Sequence, residues 1–82
     1  MTILKYYGAN WCGPCKALKP IIQDVVFSSK VAHQIIDVDE EPALAQQAGI
    51  RSIPVVVIEK DGVETNRFVG IQPKEVYEQA IK

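Results

Sequence analysis

The two cysteines of this chain are separated by two residues and lie between a short β-prone run and an amphipathic helical pattern. The β-prone run covers residues 3–7, and the helical pattern covers Gly13 to about Ser29. Two thiols at this spacing can close a small disulfide ring without moving the rest of a fold. We therefore expect Cys12 and Cys15 to cycle between dithiol and disulfide. In a strand–helix–strand setting, such a pair indicates redox chemistry at the start of a helix.

Half of a zinc site is the alternative interpretation of two closely spaced cysteines. A structural zinc ion needs about four ligands, usually another thiolate pair or two imidazoles. The chain has no third cysteine, and its single histidine, His33, lies in a different segment. The motif therefore favours thiol chemistry, and we expect no metal ion.

The composition predicts one domain. The 82 residues suffice for a single domain, residues 1–82, and an apolar fraction of 48% suffices for its core. The net charge of −1, without a basic run, leaves no electrostatic footprint for nucleic acid or anionic membranes. No apolar stretch approaches membrane length, and the first residues lack the plan of a signal peptide. We therefore expect a cytoplasmic protein. That compartment is reducing, which in turn favours catalytic over structural cysteines.

The pattern of apolar residues, glycines and prolines predicts the element order β-α-β-α-β-β-α. This order predicts an α/β fold with a four-stranded mixed sheet and three flanking helices. Asp61-Gly62 indicates a two-residue hairpin, Asp39 is the predicted N-cap of the second helix, and Gly49 is its predicted end. Pro20 is expected to kink the first helix without ending it, because the apolar stripe continues beyond it. The predicted strands are residues 3–7, 33–38, 54–58 and 63–69, and the predicted helices are residues 13–29, 43–48 and one opening at 72–75.

The motif at residues 11–16, Trp-Cys-Gly-Pro-Cys-Lys, resembles the active-site signature of the thioredoxin family. Pro20 stands where thioredoxins carry a helix-kinking proline, and residues 50–54 resemble the segment that ends in their cis-proline. Val69-Gly70 resembles the pair that lines their substrate groove. The resemblance covers nearly the whole chain, without the N-terminal strand and helix of full-length members. It implies a thioredoxin fold in a minimal, glutaredoxin-like form.

Three positions depart from the pattern of that family. Tyr6 falls where thioredoxins usually place a buried aspartate that exchanges a proton with the second cysteine, and Ile35 falls where they carry its lysine partner. The joint absence of the two avoids an uncompensated buried charge. Gly8 replaces a tryptophan of the family. We therefore expect Tyr6 to be a core aromatic, and water or the leaving group to accept the proton of Cys15.

The start of the helix predicts different roles for the two thiols. Unpaired backbone N–H groups and the positive end of the helix dipole favour an anion at Cys12, which is the predicted nucleophile with an exposed sulfur. Cys15, one turn inside the helix, is the predicted resolving thiol, which attacks the Cys12 sulfur. Gly13 and Pro14 are expected to set the ring geometry and the reduction potential.

The resemblance also implies a place for the substrate. A cis-proline at Pro54 would remove an N–H near the sulfurs and present the backbone of Ile53 for β-like pairing with an extended peptide. The predicted members of a small apolar rim around the nucleophile are Trp11, Ile53, Pro54, Gly70 and Ile71.

These features predict a thiol–disulfide oxidoreductase that reduces protein disulfides and holds no bound cofactor. The resemblance implies a flavoprotein thioredoxin reductase as electron donor and disulfide-containing proteins as substrates, and we expect a monomer. A glutaredoxin-like protein recharged by glutathione is the alternative, suggested by the short chain and the missing charge pair. Against it, Gly-Pro replaces the Pro-Tyr typical of that family, and no paired glycines followed by acidic residues come after Phe68. A scaffold with incidental thiols is the third hypothesis.

Overall fold

The computed structural model describes residues 1–82 and contains four strands and three helices in the predicted order. The α/β class and the mixed sheet are confirmed. None of the helices is long and apolar enough to cross a membrane. Along the chain the elements are β1 Thr2–Gly8, α1 Gly13–Ser29, β2 Ala32–Asp37, α2 Pro42–Gln47, β3 Val55–Lys60, β4 Val63–Val69 and α3 Lys74–Ile81.

The sheet has the strand order β2-β1-β3-β4. Strands β1 and β2 are parallel, whereas β3 runs antiparallel to both β1 and β4. A parallel pair cannot be joined by a tight turn, so α1 carries the chain from the end of β1 back to the start of β2. The two cysteines therefore lie where β1 ends and α1 begins, as the sequence predicted.

Apolar side chains cover both faces of β3. Val56 and Ile58 belong to the larger core cluster, which includes buried residues of α1 and α3. Val55 and Val57 belong to a smaller cluster on the opposite face, where Leu44 of α2 packs. All four strand residues are at most 2% exposed. The unbroken apolar run in the sequence follows from this double burial, since such a strand has no solvent-facing side.

Helix α1 is continuous from Gly13 to Ser29 and does not end at Pro20. It closes at Lys30, whose φ of 56° is left-handed and whose N–H donates to the carbonyl of Val26 at 2.9 Å. Its fully buried side chains recur at spacings of three and four residues and so form one core-facing stripe. These side chains are Cys15, Leu18, Ile22 and Val25.

The hairpin between β3 and β4 turns at Asp61 and Gly62, as predicted. Both residues have positive φ, 53° and 82°, which a two-residue turn of this kind requires. The register then shifts between Ile58 and Glu59, an irregularity that the sequence did not indicate.

Helix α2 begins differently from the prediction. Its N-cap is Glu41, whose side chain makes no capping hydrogen bond, so the assignment of Asp39 as N-cap is wrong. The carboxylate of Asp39 instead accepts a hydrogen bond from Trp11, because the turn after β2 brings it against the loop before α1. The predicted end is confirmed, since Gly49 follows the helix with a left-handed φ of 71°.

Three buried tyrosines predict an alkaline limit of stability. Burial raises the pKa of Tyr6, Tyr7 and Tyr77 above the ordinary value of 10.0. The folded state therefore holds these phenolic protons more tightly than the unfolded chain. Their stabilising contribution is complete below pH 10 and is lost as the pH rises through the raised native values. We expect the free energy of unfolding in urea to fall above about pH 10, and Tyr6→Phe to make that fall shallower. Tyrosines that ionise at their ordinary pH without loss of stability would contradict this.

Candidate active site

Cys12 is the N-cap of α1. Its backbone is extended, with φ −84° and ψ 116°, and its carbonyl accepts the first helical hydrogen bond from the Lys16 N–H at 3.3 Å. Its Sγ accepts a hydrogen bond from the Cys15 N–H at 3.2 Å. The first turn contains no acidic residue that would repel an anion. In the reduced protein, the same N–H group and the helix dipole therefore favour negative charge on this sulfur.

Cys12 and Cys15 are joined by a disulfide, with Cα atoms 5.2 Å apart. That separation lies within the range usual for disulfides, so the bond closes on the helix start as it stands. Cys12 is only 4% exposed and Cys15 is 2% exposed, so the expectation of an exposed sulfur at Cys12 is wrong for the disulfide form. The physical reason is that both residues pack into the larger core cluster, with Ile53 and Ala9 against it.

Trp11 stands out from the surface next to the disulfide, with 68% of its surface exposed. Its indole N–H donates to the Asp39 carboxylate at 2.6 Å, which fixes the ring relative to the turn after β2. Trp11 and Ile53 line one shallow cavity of about 190 Å³. Four other residues line it that the sequence did not predict as members of the rim, because they come from the turn after β2 and from the segment before β3. These are Val38, Ile50, Arg51 and Ser52.

The segment before β3 presents open backbone. The Ile53–Pro54 peptide bond is cis, as the resemblance implied. The carbonyl of Pro54 accepts a hydrogen bond from the Gly70 N–H at 2.9 Å, which extends the β3–β4 pairing by one step. The N–H and C=O of Ile53 have no hydrogen-bond partner within the chain. Backbone groups of this kind are available to another strand.

Gly70 and Ile71 lead from β4 to α3. Gly70 has a left-handed φ of 84°, and Ile71 is 44% exposed. The next residue, Gln72, donates its N–H to the hydroxyl of the buried Tyr77 at 3.0 Å. This hydrogen bond ties the segment to α3 and so to the core. The hydrogen bond from Gly70 to Pro54 joins the same segment to the one before β3. Neither Gly70 nor Ile71 lines the cavity of Trp11 and Ile53.

Two of the departures from the family pattern are coupled in space. Tyr6 is buried, as expected of a core aromatic, and its hydroxyl donates to the carbonyl of Cys15 at 3.0 Å. A Cβ atom added at Gly8 would lie 2.6 Å from that hydroxyl and 2.9 Å from two ring atoms. The tyrosine thus occupies the space that a side chain at position 8 would need. Ile35, at the third departing position, is 45% exposed on β2.

This coupling predicts the effect of Gly8→Ala. We expect the substitution to lower the free energy of unfolding by about 1–3 kcal/mol, the usual cost of overpacking a rigid site. Tyr6→Leu in the same chain should relieve part of that cost, so the double variant should be more stable than the sum of the two single effects. Urea denaturation of the four proteins measures the coupling. Strictly additive effects would show that the two positions do not compete for space.

No group of three or more histidine, cysteine, aspartate or glutamate side chains is arranged to hold a metal ion. His33, the single histidine of the chain, lies exposed on β2 at the edge of the sheet.

A disulfide that opens and closes at the start of a core-anchored helix allows a protein to exchange two electrons with other thiols and disulfides. This fold and site define the class: the chain is a thiol–disulfide oxidoreductase.

Comparison with known proteins narrows the class to a family. The thioredoxin family model matches residues 1–82. Thioredoxin 1 of Synechococcus elongatus is 39% identical over 76 residues, which cover 90% of this chain and 71% of that protein. A thioredoxin variant from Halobacterium salinarum superposes with a TM-score of 0.91 at 35% identity, covering 98% of this chain and 71% of the other. A thioredoxin of Nicotiana alata superposes with a TM-score of 0.89 at 36% identity, covering 98% of this chain and 70% of the other. The chain belongs to the thioredoxin family and is an enzyme that reduces protein disulfides. These comparisons do not support the glutaredoxin alternative better than the thioredoxin function.

Proposed function

We propose that this protein carries electrons from a flavoprotein thioredoxin reductase to the disulfides of protein substrates in the cytoplasm. It acts as a monomer, with residues 1–82 as a single domain and no bound cofactor. The observation that carries the proposal is the Cys12–Cys15 disulfide at the start of α1, in a chain of the thioredoxin family. The disulfide itself stores the two electrons that the reaction transfers.

Cys12 is the proposed nucleophile. Its thiolate attacks one sulfur of a substrate disulfide, the substrate S–S bond breaks, and the other substrate sulfur leaves as a thiol after taking up a proton. The N-cap position and the Cys15 N–H at 3.2 Å support this role. Cys15 then attacks the Cys12 sulfur, which closes the internal disulfide and releases the second substrate thiol. Its place one turn inside α1, behind Cys12 at the N-cap, supports the resolving role.

The substrate is proposed to bind as an extended segment. The unpaired N–H and C=O of Ile53 offer two hydrogen bonds to such a segment, in the manner of an added β-strand. Trp11, which shares a cavity with Ile53, supplies exposed aromatic surface on one side. Pro54, Gly70 and Ile71 complete the proposed rim. The hydrogen bond from the Gly70 N–H to the Pro54 carbonyl supports the grouping of those two residues.

Gly13 and Pro14 are proposed to tune the redox equilibrium. Both are exposed within the ring that the disulfide closes, so a substitution there changes the ring more than the core. A change of about 30 mV in the reduction potential corresponds to about 1.4 kcal/mol for this two-electron couple. The reduction potential of Pro14 variants against a glutathione buffer measures this effect.

The electron donor decides between the proposal and its alternative. The oxidised protein is supplied either with NADPH and a thioredoxin reductase, or with glutathione and its own reductase, and the reduction of insulin disulfides is followed. We expect the first couple to drive the reaction. Reaction with glutathione alone would instead establish the glutaredoxin-like function. The Cys12→Ser, Cys15→Ser double variant is the control: it should be inactive with both couples, whereas a scaffold would keep its partner function without either thiol.

A further inference from the structure

A cavity of about 170 Å³ adjoins Cys15 between the start of α1 and the carboxyl ends of β1 and β2. It is large enough for several water molecules, since one requires about 10–15 Å³ of such volume. Only one of the titratable side chains that line it is a carboxylate. These side chains are Tyr6, Cys15, Lys16, Lys19 and Asp37.

The chemistry of these side chains selects one proton acceptor for Cys15. Burial raises the pKa of Tyr6, and its hydroxyl already donates to the Cys15 carbonyl at 3.0 Å, so at neutral pH it remains a phenol and a donor. Lys16 and Lys19 carry ammonium groups, which donate hydrogen bonds and accept none. The carboxylate of Asp37 is the remaining group, and its oxygens can accept a proton.

The structure holds this carboxylate in place at the end of β2. Asp37 lies opposite Gly8 in the parallel register, and the Val38 N–H donates to the Gly8 carbonyl at 2.9 Å. Its Oδ1 accepts hydrogen bonds from the N–H groups of Asp39 at 2.8 Å and Glu40 at 3.3 Å. Its Oδ2 has no hydrogen-bond or ion-pair partner in the chain, and so one oxygen is oriented by the turn while the other is free to take a proton.

We propose that Asp37 accepts the proton of Cys15, through water in this cavity, when Cys15 resolves the mixed disulfide. The inference rests on the roles proposed above for the two cysteines. In the step, the Cys15 S–H bond breaks and its proton passes by water to Asp37. The Cys15 thiolate forms the S–S bond with Cys12, and the bond between Cys12 and the substrate breaks. The substrate sulfur leaves as a thiolate and is protonated by solvent, and Asp37 later returns its proton to water.

Asp37→Asn tests the proposal because asparagine keeps an oxygen for the two turn N–H groups and loses only the base. The reduced protein is mixed with Ellman's reagent in a stopped-flow instrument, where formation and resolution of the Cys12 mixed disulfide each release one coloured thiolate. General-base catalysis typically contributes about 10²–10⁴-fold, so we expect the second release to slow by about 100-fold or more while the first is unchanged. Glu40→Gln, which removes a neighbouring carboxylate outside the cavity, should alter neither release.

Two further readouts separate a lost base from a disturbed turn. In Asp37→Asn, the rate of resolution should rise about tenfold for each unit by which the pH is raised, up to the pKa of an ordinary thiol, about 8.5, because it follows the thiolate fraction of Cys15. The parent protein should show a flatter pH profile. Formate, a carboxylate small enough for the cavity, should restore part of the lost rate. An unchanged second release in Asp37→Asn, or an equal slowing of both releases without rescue by formate, would overturn the proposal. If the parent protein never gives a second release, the dithiol cycle itself is wrong, which is a distinct result.

Discussion

Cys12→Ser is expected to abolish disulfide reduction, with a loss of about 10⁴-fold or more, as found when an enzyme loses its only nucleophile. A serine hydroxyl does not ionise near neutral pH, so no anion forms at the N-cap of α1 to attack a disulfide. The measurement is insulin reduction with the donor couple that serves the parent protein. The fold should be retained, because serine is also a good N-cap residue.

Cys15→Ser is the matched variant and should fail in a different way. Its Cys12 still attacks, but no resolving thiol follows, so the protein accumulates as a mixed disulfide with the substrate. Mass spectrometry of the intact protein should show one substrate adduct on Cys15→Ser and none on Cys12→Ser. The reverse pattern of adducts would exchange the roles of the two cysteines.

Tyr77→Ala is expected to have the largest effect on stability. Tyr77 is 0% exposed, and its ring meets Phe68 edge-on, with centroids 5.3 Å apart and planes at 86°. Removal of a fully buried aromatic ring costs about 3–5 kcal/mol, against a total of about 5–15 kcal/mol for a typical domain. A small domain lies near the lower end of that range, so much of this variant should be unfolded at physiological temperature.

Tyr77→Phe is the matched control for this loss. It keeps the ring and removes only the acceptor of the Gln72 N–H, for which we expect about 1 kcal/mol. Urea denaturation followed by circular dichroism gives both values. Equal losses in the two variants would mean that the hydrogen bond to the segment after β4, rather than ring packing, holds α3 in place.

The sequence predicted those parts of the fold that depend on local patterns. The unbroken apolar run of β3, the Asp61-Gly62 turn and the start of α1 at Gly13 are each determined by neighbouring residues, and each was confirmed. The order of elements then leaves few ways to cover the apolar face of every strand, so the mixed sheet followed from it.

The site depended on contacts between distant segments, which local patterns do not contain. Asp39 resembled an N-cap because of its spacing from α2, yet the parallel pairing of β1 with β2 places its carboxylate against Trp11. The same register sets Gly8 opposite Asp37 and leaves a cavity beside Cys15. Burial of the disulfide was also missed, because packing of the loop before α1 decides it.

The central claim is that the start of α1 stabilises the Cys12 sulfur as an anion, and that Cys15 then displaces the substrate bound to it. The reactivity of the two thiols in the reduced protein tests this claim most directly. The reduced protein is alkylated briefly over a range of pH, and modification at each cysteine is quantified by peptide mass spectrometry. We expect Cys12 to react first, with half-maximal reactivity at a pH clearly below the pKa of a free thiol, about 8.5. We also expect the unalkylated protein to re-form its internal disulfide when an oxidant is added. Equal reactivity of the two cysteines at the pH of an ordinary thiol, with no internal disulfide formed, would contradict the account.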